Sequence, residues 1–558
     1  MQDNLGKAEL LNEYFCSVFV HDNGIINEWR ITPRNTSMNK VFITANLVRK
    51  FIQKLQKPGG AGPDDLPAEF FKCCLPAITY PLSVIFNISL QSGSLPSIWK
   101  CAVITPVFKK GSPSNPANYR PISLTCIACK VLESCIKEAL LSYLMSRNII
   151  TRHQHGFLSK KSTSTQLLEC TLDWSVAFNS KNSVDVIYLD YARAFDSVVY
   201  NKLIYKLSCY GICNMLLCWI KDFLTCRLQA VVVGSCLSSY CKVISGVPQG
   251  SVLGPVLFVL FVNDIVTCTD SSVSVKLFAD DVKLYTVISD EFSCDKLQIS
   301  LDNIYSWSNH WQLKLSPSKC TVLHLKSGRS CHQDPLCDDG YSIGDSSLPV
   351  CSTVSDLGIS YDNHFSFRPH IHNIVAKASL RAKLILKCFV SRNARLLTKA
   401  FCVFVRPVLE FSSVVWSPYF RCDIDKIENV QRRFTKAIFP QMTYSARLSK
   451  LKLQTLEMRR IIADLTTCYK LLNGLTETDY RFALSRSSMS QTRGNSLKLN
   501  KNHLASTRDG ALFHNRIINL WNALPDYIVT ARSVSCFKQY LLKHVNDVGL
   551  YFFTSRYY

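Results

Sequence analysis

The chain has 558 residues, 47% hydrophobic and 11% aromatic, enough for two or three packed domains and too apolar for extensive disorder. Its 25 cysteines would suit a disulfide framework only in a short exported chain, and Met1 to Lys7 hold no apolar targeting stretch, so reduced thiols in a nuclear and/or cytoplasmic protein are expected. Net charge is +23, and it is unevenly spread: from Arg368 onward 31 basic residues face 11 acidic ones, whereas the first 367 residues hold 33 against 30, so the last third suits a polyanionic partner.

In chain order, residues 1–57 read mainly as helix, with Ala8, Leu10, Leu11, Tyr14 and Phe15 at helical spacing. Lys57-Pro58-Gly59-Gly60-Ala61-Gly62-Pro63 breaks that pattern as a loop. Residues 64–100 read as helical again, punctuated by Pro76, Pro81 and Pro96, and Cys101–Phe108 reads as a strand running into Lys109-Lys110-Gly111. Between 184 and 290 short apolar runs alternate with helical patterns, which predicts α+β structure around a small sheet. Val256–Val262 is the densest apolar run and is far too short to span a bilayer, so no membrane is expected. Residues 375–475 read as largely helical, with Arg and Lys set among Leu, Ile and Phe, and Ser485–Asn502 reads as a polar linker.

Three segments carry chemistry. Val184–Asp190 has apolar residues on both alternating faces and ends in a carboxylate, the pattern of a strand buried on both sides. Val273–Ala279 and Val282–Tyr285 read as two strands joined by a turn holding Asp280 and Asp281, adjacent carboxylates that repel unless a cation neutralises them. If that turn lies beside the end of the Asp190 strand, three hard oxygen ligands converge, a set suited to Mg²⁺, with its remaining ligands taken from substrate phosphates. In Ser245–Phe258, Gly246, Gly250 and Gly254 let backbone approach a flat or charged ligand, and Gln249 offers both a donor and an acceptor.

Taken together, Leu189–Asp196, Gly246-Val247-Pro248-Gln249-Gly250 and Phe278-Ala279-Asp280-Asp281 resemble, in order and spacing, the A, B and C motifs of reverse transcriptases. The flanks resemble the jockey-like branch of non-LTR (LINE-type) retrotransposons: Lys57–Asp64, Ile104–Gly111 with Asn118–Leu124, Gln154–Phe157 with Ser162-Thr163, Asp356–Ile359, Trp416–Tyr419 and Trp521–Pro525. The resemblance implies a right-hand polymerase: a mostly helical N-terminal extension over 1–94, fingers and a palm with a small antiparallel sheet over 95–360, a basic helical thumb or connection over 361–484, and a helical C-terminal region over 485–558. It implies RNA-directed DNA synthesis, with an RNA template, a DNA primer and dNTPs as partners and two Mg²⁺ ions (or Mn²⁺) as cofactors. Asp190, Asp280 and Asp281 match the metal-binding carboxylates, Arg120 and either Lys109 or Lys110 the triphosphate contacts, and Gln249 and Gly250 the segment beside the incoming sugar and base. Phe195 matches the aromatic gate that a ribose 2′-OH would strike, which speaks against an RNA polymerase with the same palm chemistry. Jockey-like elements also carry an endonuclease, for which the residues before Lys57 are too few, so a truncated copy is expected. A catalytically silent remnant that still binds RNA through its basic lobe is the alternative. Cys126 and Cys129 have the spacing of a zinc half-site without a second pair, His370 and His372 lack a third ligand, and no RNase H-like carboxylate set is evident in the last third.

Overall fold

Strand β1, Cys101–Phe108, and strand β2, Tyr119–Leu124, form an antiparallel hairpin in which Val107 faces Arg120 and Phe108 faces Tyr119. Strand β3 is Ser183–Leu189, and β4, Arg227–Val233, runs parallel to β1. Short strands β5, Cys236–Leu237, and β6, Cys241–Val243, pair with β4 to complete the first sheet. A second sheet is wholly antiparallel: β7, Ser274–Phe278, β8, Asp281–Ile288, and β9, Thr321–Leu325, join β3 in the order β7-β8-β3-β9. The computed structural model describes residues 3–26, 31, 37–38, 40–56, 60–326, 340–479, 484–485, 495–500 and 510–557. Lys57, Pro58 and Gly59 of the glycine-rich loop, and most of Ser485–Asn502, lie outside them.

Strand β3 is buried on both faces, as its unbroken apolar pattern predicts. Val184 and Val186 enter one core with Trp174, Tyr361 and Phe365, while Ile187 and Leu189 enter another with Phe258 and Trp307. The second of these cores is walled by helices Ile127–Ser146, Gly254–Phe261 and Ser293–His310. The first is shared with the basic helices Arg368–Cys388, Arg421–Ile438 and Leu456–Leu472, so the C-terminal lobe packs directly behind the sheet. Glu169 fastens the two together. Its carboxylate accepts from Lys276 Nζ of β7 at 2.7 Å, from Thr478 Oγ1 at 2.6 Å and from the Asp479 N–H at 3.0 Å.

The N-terminal segment departs from the all-helical reading. Helix Asn4–Ser17, capped by Asp3, lays Leu11 and Phe15 against Ala102, Ile104 and Val231 of the first sheet. After it the chain runs without helix through residue 26, because Asp22 accepts from the Gly24 N–H at 2.9 Å and Gly24 turns at φ +70°. This stretch is strapped across the molecule: Ser245 Oγ accepts from the Val20 N–H, Gln312 bonds the backbone of His21 and Asn23, and Asn201 donates to Asp22. Pro81, read as punctuation, lies inside helix Leu75–Ser92 at the cost of one backbone hydrogen bond.

One buried ion pair stands out in the core beneath the second sheet. Lys206 is fully buried, and its ammonium donates to Phe261 O at 2.7 Å and to Asp264, with the Trp311 ring 3.8 Å and the Trp307 ring 4.6 Å away. Burial pushes the amine down to about 8, against the pull of Asp264. Among the described cysteines all but Cys294 are free thiols; Cys294 is disulfide-bonded and departs from the reduced expectation because oxidation depends on a thiol neighbour that spacing alone does not show.

Candidate active site

The Asp280–Asp281 turn is as tight as a hairpin allows. Phe278 pairs with Asp281, leaving only Ala279 and Asp280 to reverse the chain, with Ala279 at φ +58°. That conformation is unfavourable for a residue with a Cβ and is held from outside. Gln154 Oε1 accepts from the Ala279 N–H at 2.9 Å and from the Gly156 N–H at 2.7 Å, while His153 and His155 bond the backbone of Leu277. A Cβ on Gly156 would stand 2.5 Å from the Ala279 nitrogen, so this position needs glycine. The Gln154–Gly156 block is therefore the brace of the turn.

Register then brings the carboxylates together. Leu189 pairs with Val282, which sets Asp190, the next residue, opposite Asp281. Burial holds the Asp280 carboxyl above the usual carboxylate range and the Asp190 charge adds to it, opposed by Arg120 and Lys109. Asp281 is pushed up to about 6, by burial first and then by Asp280, Asp356 and Asp190, against Lys283. Asp190 is half exposed, with Lys319 Nζ 3.6 Å from its Oδ1; its N–H meets Cys320 Sγ at 3.4 Å and its carbonyl accepts from Ser316 N–H at 2.9 Å. Among the described residues no three His, Cys, Asp or Glu groups are spaced to enclose a metal ion. Adjacent carboxylates of this kind are suited to a hard cation: Asp280 and Asp281 are both raised by burial and by neighbouring carboxylates, and are relieved by the Asp280 backbone N–H and by the cations Arg120, Lys109 and Lys283.

Two of those cations, Lys109 and Arg120, come from the β1–β2 hairpin of the first sheet. Lys109 N–H donates to Asn118 O at 2.8 Å, which carries the β1–β2 ladder one residue further. Strand alternation then places Lys109 on the same face as Val107 and Arg120, while Lys110 lies beyond the ladder in a bend. Burial lowers the Lys109 ammonium, and Arg120, Lys319 and Arg193 lower it further while Asp190 opposes them, so these groups share one electrostatic pocket.

The glycines of Gly246–Gly254 approach the protein's own backbone, where the sequence suggested a ligand. Gly246 (φ +86°) leaves no room for a Cβ against Asp196 and Phe195, and a Cβ on Gly250 (φ +122°) would sit 2.4 Å from Ser123 O. Gln249 O accepts from the Ser123 N–H at 2.7 Å, three residues from Arg120, and Gln249 Nε2 donates to Asp196 Oδ1 at 2.8 Å. Behind the segment, fully buried Glu133 accepts from the Val252 and Leu253 N–H groups at 2.7 and 2.9 Å. The Phe195 ring, partly buried, stacks on Phe258 at 4.3 Å and meets Phe157 edge-on at 6.2 Å.

Sequence reasoning missed several neighbours. Arg193 donates to Tyr14 Oη and covers its ring at 4.6 Å, tying the first helix to the site. Arg193 and Asp196 lie inside a quoted motif and were findable; Lys319, 129 residues from Asp190, carried no signal. Cys126 and Cys129 sit at a helix start as free thiols, and His370 is a packing residue that accepts from Ser360 N–H and abuts Trp416. No described helix is long and apolar enough to cross a membrane.

Residues 107–360 match the family described as reverse transcriptase (RNA-dependent DNA polymerase). The chain is 29% identical over 386 residues to the probable RNA-directed DNA polymerase from transposon BS of Drosophila melanogaster, covering 65% of the chain and 40% of that relative. It is 28% identical over 433 residues to the RNA-directed DNA polymerase from mobile element jockey of the same fly, covering 74% and 46%. A third similarity, 27% over 383 residues, is to the probable RNA-directed DNA polymerase from transposon X-element. The chain thus spans less than half the length of these relatives.

Proposed function

We propose that this chain, whose residues 107–360 are a reverse transcriptase domain similar to those of jockey-like non-LTR retrotransposons, is an RNA-directed DNA polymerase that extends a primer 3′-OH with dNTPs on an RNA template. The observation that carries the reading is the register that sets Asp190 opposite Asp281 at the end of the second sheet, with Asp280 in the adjoining turn, Lys109 within electrostatic reach of Asp190 and Asp280, and Arg120 within reach of Asp280. In the right-hand arrangement, the first sheet serves as fingers, the second as palm and the basic helices after Arg368 as thumb.

Asp190, Asp280 and Asp281 would hold two Mg²⁺ ions, or Mn²⁺, which when bound supply Lewis acidity at the primer hydroxyl and charge neutralisation at the phosphates. Arg120 and Lys109 neutralise the triphosphate and orient it; lying beside other cations, Lys109 gains from an arriving anion. Lys319 balances Asp190 until the cation and substrate enter. Phe195, backed by Phe258, offers a fixed wall where a 2′-OH would project, so sugar choice is by clash. Template and product duplex are held by phosphate contacts on the basic lobe.

The test is primer extension on an RNA template with dNTPs and rNTPs in parallel. Magnesium-dependent dNTP incorporation that is lost in Asp190→Asn while the melting transition persists is the expected result. Undiminished extension by folded Asp190→Asn protein would remove these carboxylates from the chemistry. Template binding without any incorporation would favour the silent RNA-binding alternative.

A further inference from the structure

Gln249 is useful to a nucleotide only if its amide points one way. An amide can turn over about its terminal bond at little cost, exchanging its donor NH₂ for its acceptor oxygen. Here the choice is made by Asp196. Gln249 Nε2 donates to Asp196 Oδ1 at 2.8 Å; burial raises this carboxyl, but the bond from Gln249, helped by Arg193 and Lys109, favours the ionised form, which accepts and cannot donate. The other end, Oε1, accepts no hydrogen bond from any described residue. Asp196 is itself immobilised: its carbonyl accepts from Ser245 Oγ at 2.7 Å, its N–H donates to Arg193 O at 3.0 Å, and Gly246 packs on its Cα. On the far side, the Gln249 carbonyl is pinned to Ser123 of the strand that bears Arg120. The same four-residue span thus links the segment after Asp190 to the strand carrying the triphosphate arginine.

We infer that Asp196 is a positioning residue for the incoming nucleotide: it locks the Gln249 amide so that Oε1 is presented as a fixed acceptor to a donor on the nucleotide's sugar or base edge. The inference rests on the polymerase reading above. Asp196 touches no reacting atom and acts only through Gln249. Its loss should therefore weaken nucleotide binding while leaving the chemical step of bound nucleotide largely intact.

Binding of a dNTP with Mg²⁺ to protein carrying an RNA template and a dideoxy-terminated DNA primer separates these effects, with single-nucleotide incorporation and thermal melting run alongside. Asp196→Ala should raise the dNTP Kd and KM about ten- to a hundredfold, the range of a hydrogen bond to a charged group, with kcat changed far less. Gln249→Glu should bind poorly because two carboxylates then face each other at 2.8 Å. The decisive variant joins Asp196→Asn with Gln249→Glu. The donor then sits on residue 196 and the acceptor on residue 249, the oxygen facing the nucleotide is restored, and most of the affinity should return. A merely structural role predicts no such recovery. If the double variant binds no better than Gln249→Glu alone, or if Asp196→Ala lowers melting temperature and kcat together with KM unchanged, the assignment of Asp196 is wrong while wild-type incorporation leaves the polymerase reading standing. A wild-type protein that neither binds nor incorporates dNTPs overturns both.

Discussion

Asp281→Asn should make the metal-free protein more stable and the enzyme worse. The Asp281 carboxyl rises from 3.8 to about 6, so in the fold its charged form is disfavoured by burial, Asp280, Asp356 and Asp190. At about 1.4 kcal/mol per unit the rise corresponds to roughly 3 kcal/mol, but the side chain is exposed and solvent screening reduces this to about 1 kcal/mol. For a chain of this size that is a gain of about 1–3 °C in melting temperature in EDTA at pH 7.5. The sign with pH follows. A raised carboxylate binds its proton more readily folded than unfolded, so the wild type recovers progressively as pH falls below about 6, and the two proteins should converge only once the pH is below the ordinary carboxylate value of 3.8. Millimolar Mg²⁺ should then lift the wild type more than the variant, since only the wild type keeps the full anionic set. Thermal melting from pH 8 down to below the ordinary carboxylate value, in EDTA throughout and in Mg²⁺ at pH 7.5, reads all three effects. If Asp281→Asn melts below the wild type in EDTA at pH 7.5, or if Mg²⁺ raises both equally, the carboxylates are not a strained, cation-ready cluster.

Phe195→Val should raise ribonucleotide use relative to deoxynucleotide by about ten- to a thousandfold, read from parallel single-nucleotide incorporations; an unchanged ratio makes Phe195 a packing residue on Phe258. Asp264→Ala leaves the Lys206 ammonium buried without its partner and should cost about 3–5 kcal/mol in chemical denaturation, with Lys206→Met/Asp264→Leu restoring much of it; equal losses in both would mean packing alone matters. Replacing the exposed Lys377, Lys383 and Lys387 of helix Arg368–Cys388 by Gln should flatten the salt dependence of template–primer affinity by about 0.9 per lost phosphate contact, and an unaltered slope would place the nucleic acid elsewhere.

The site was legible because its chemistry is carried by short, ordered motifs whose registers local structure enforces. The hairpin was legible from the alternation of Val273–Ala279 and Val282–Tyr285, but its turn falls one residue earlier than expected, at Ala279 and Asp280, with Asp281 already in β8, and β3 ends at Leu189, one residue before Asp190. Choosing between Lys109 and Lys110 needed the β1–β2 pairing, which adjacent residues cannot express in a one-dimensional pattern. That Gly246 and Gly250 also pack on the protein's own backbone was hidden for the same reason: the surfaces they approach, Asp196 and Ser123, are distant in sequence. Nor did charge and periodicity show that the basic helices share a core with Val184 and Val186, which makes substitution a cleaner probe of that lobe than deletion.

The strap formed by residues 18–26 has a consequence for how the chain comes to be assembled on the ribosome. Its anchors, Asn201, Ser245 and Gln312, lie 179 to 291 residues downstream. At translation rates of about 5–20 residues per second, Gln312 is synthesised roughly 15–60 s after His21. Leu11 and Phe15 meet Ala102, Ile104 and Val231 before then, but the backbone at His21 and Asn23 has no Gln312 to meet during that interval, and the closure entropy of so long a loop must be met before that contact repays it. The strap is thus made early and anchored late, and the helix before it, whose Tyr14 holds Arg193, is secured at its far end only when those anchors exist.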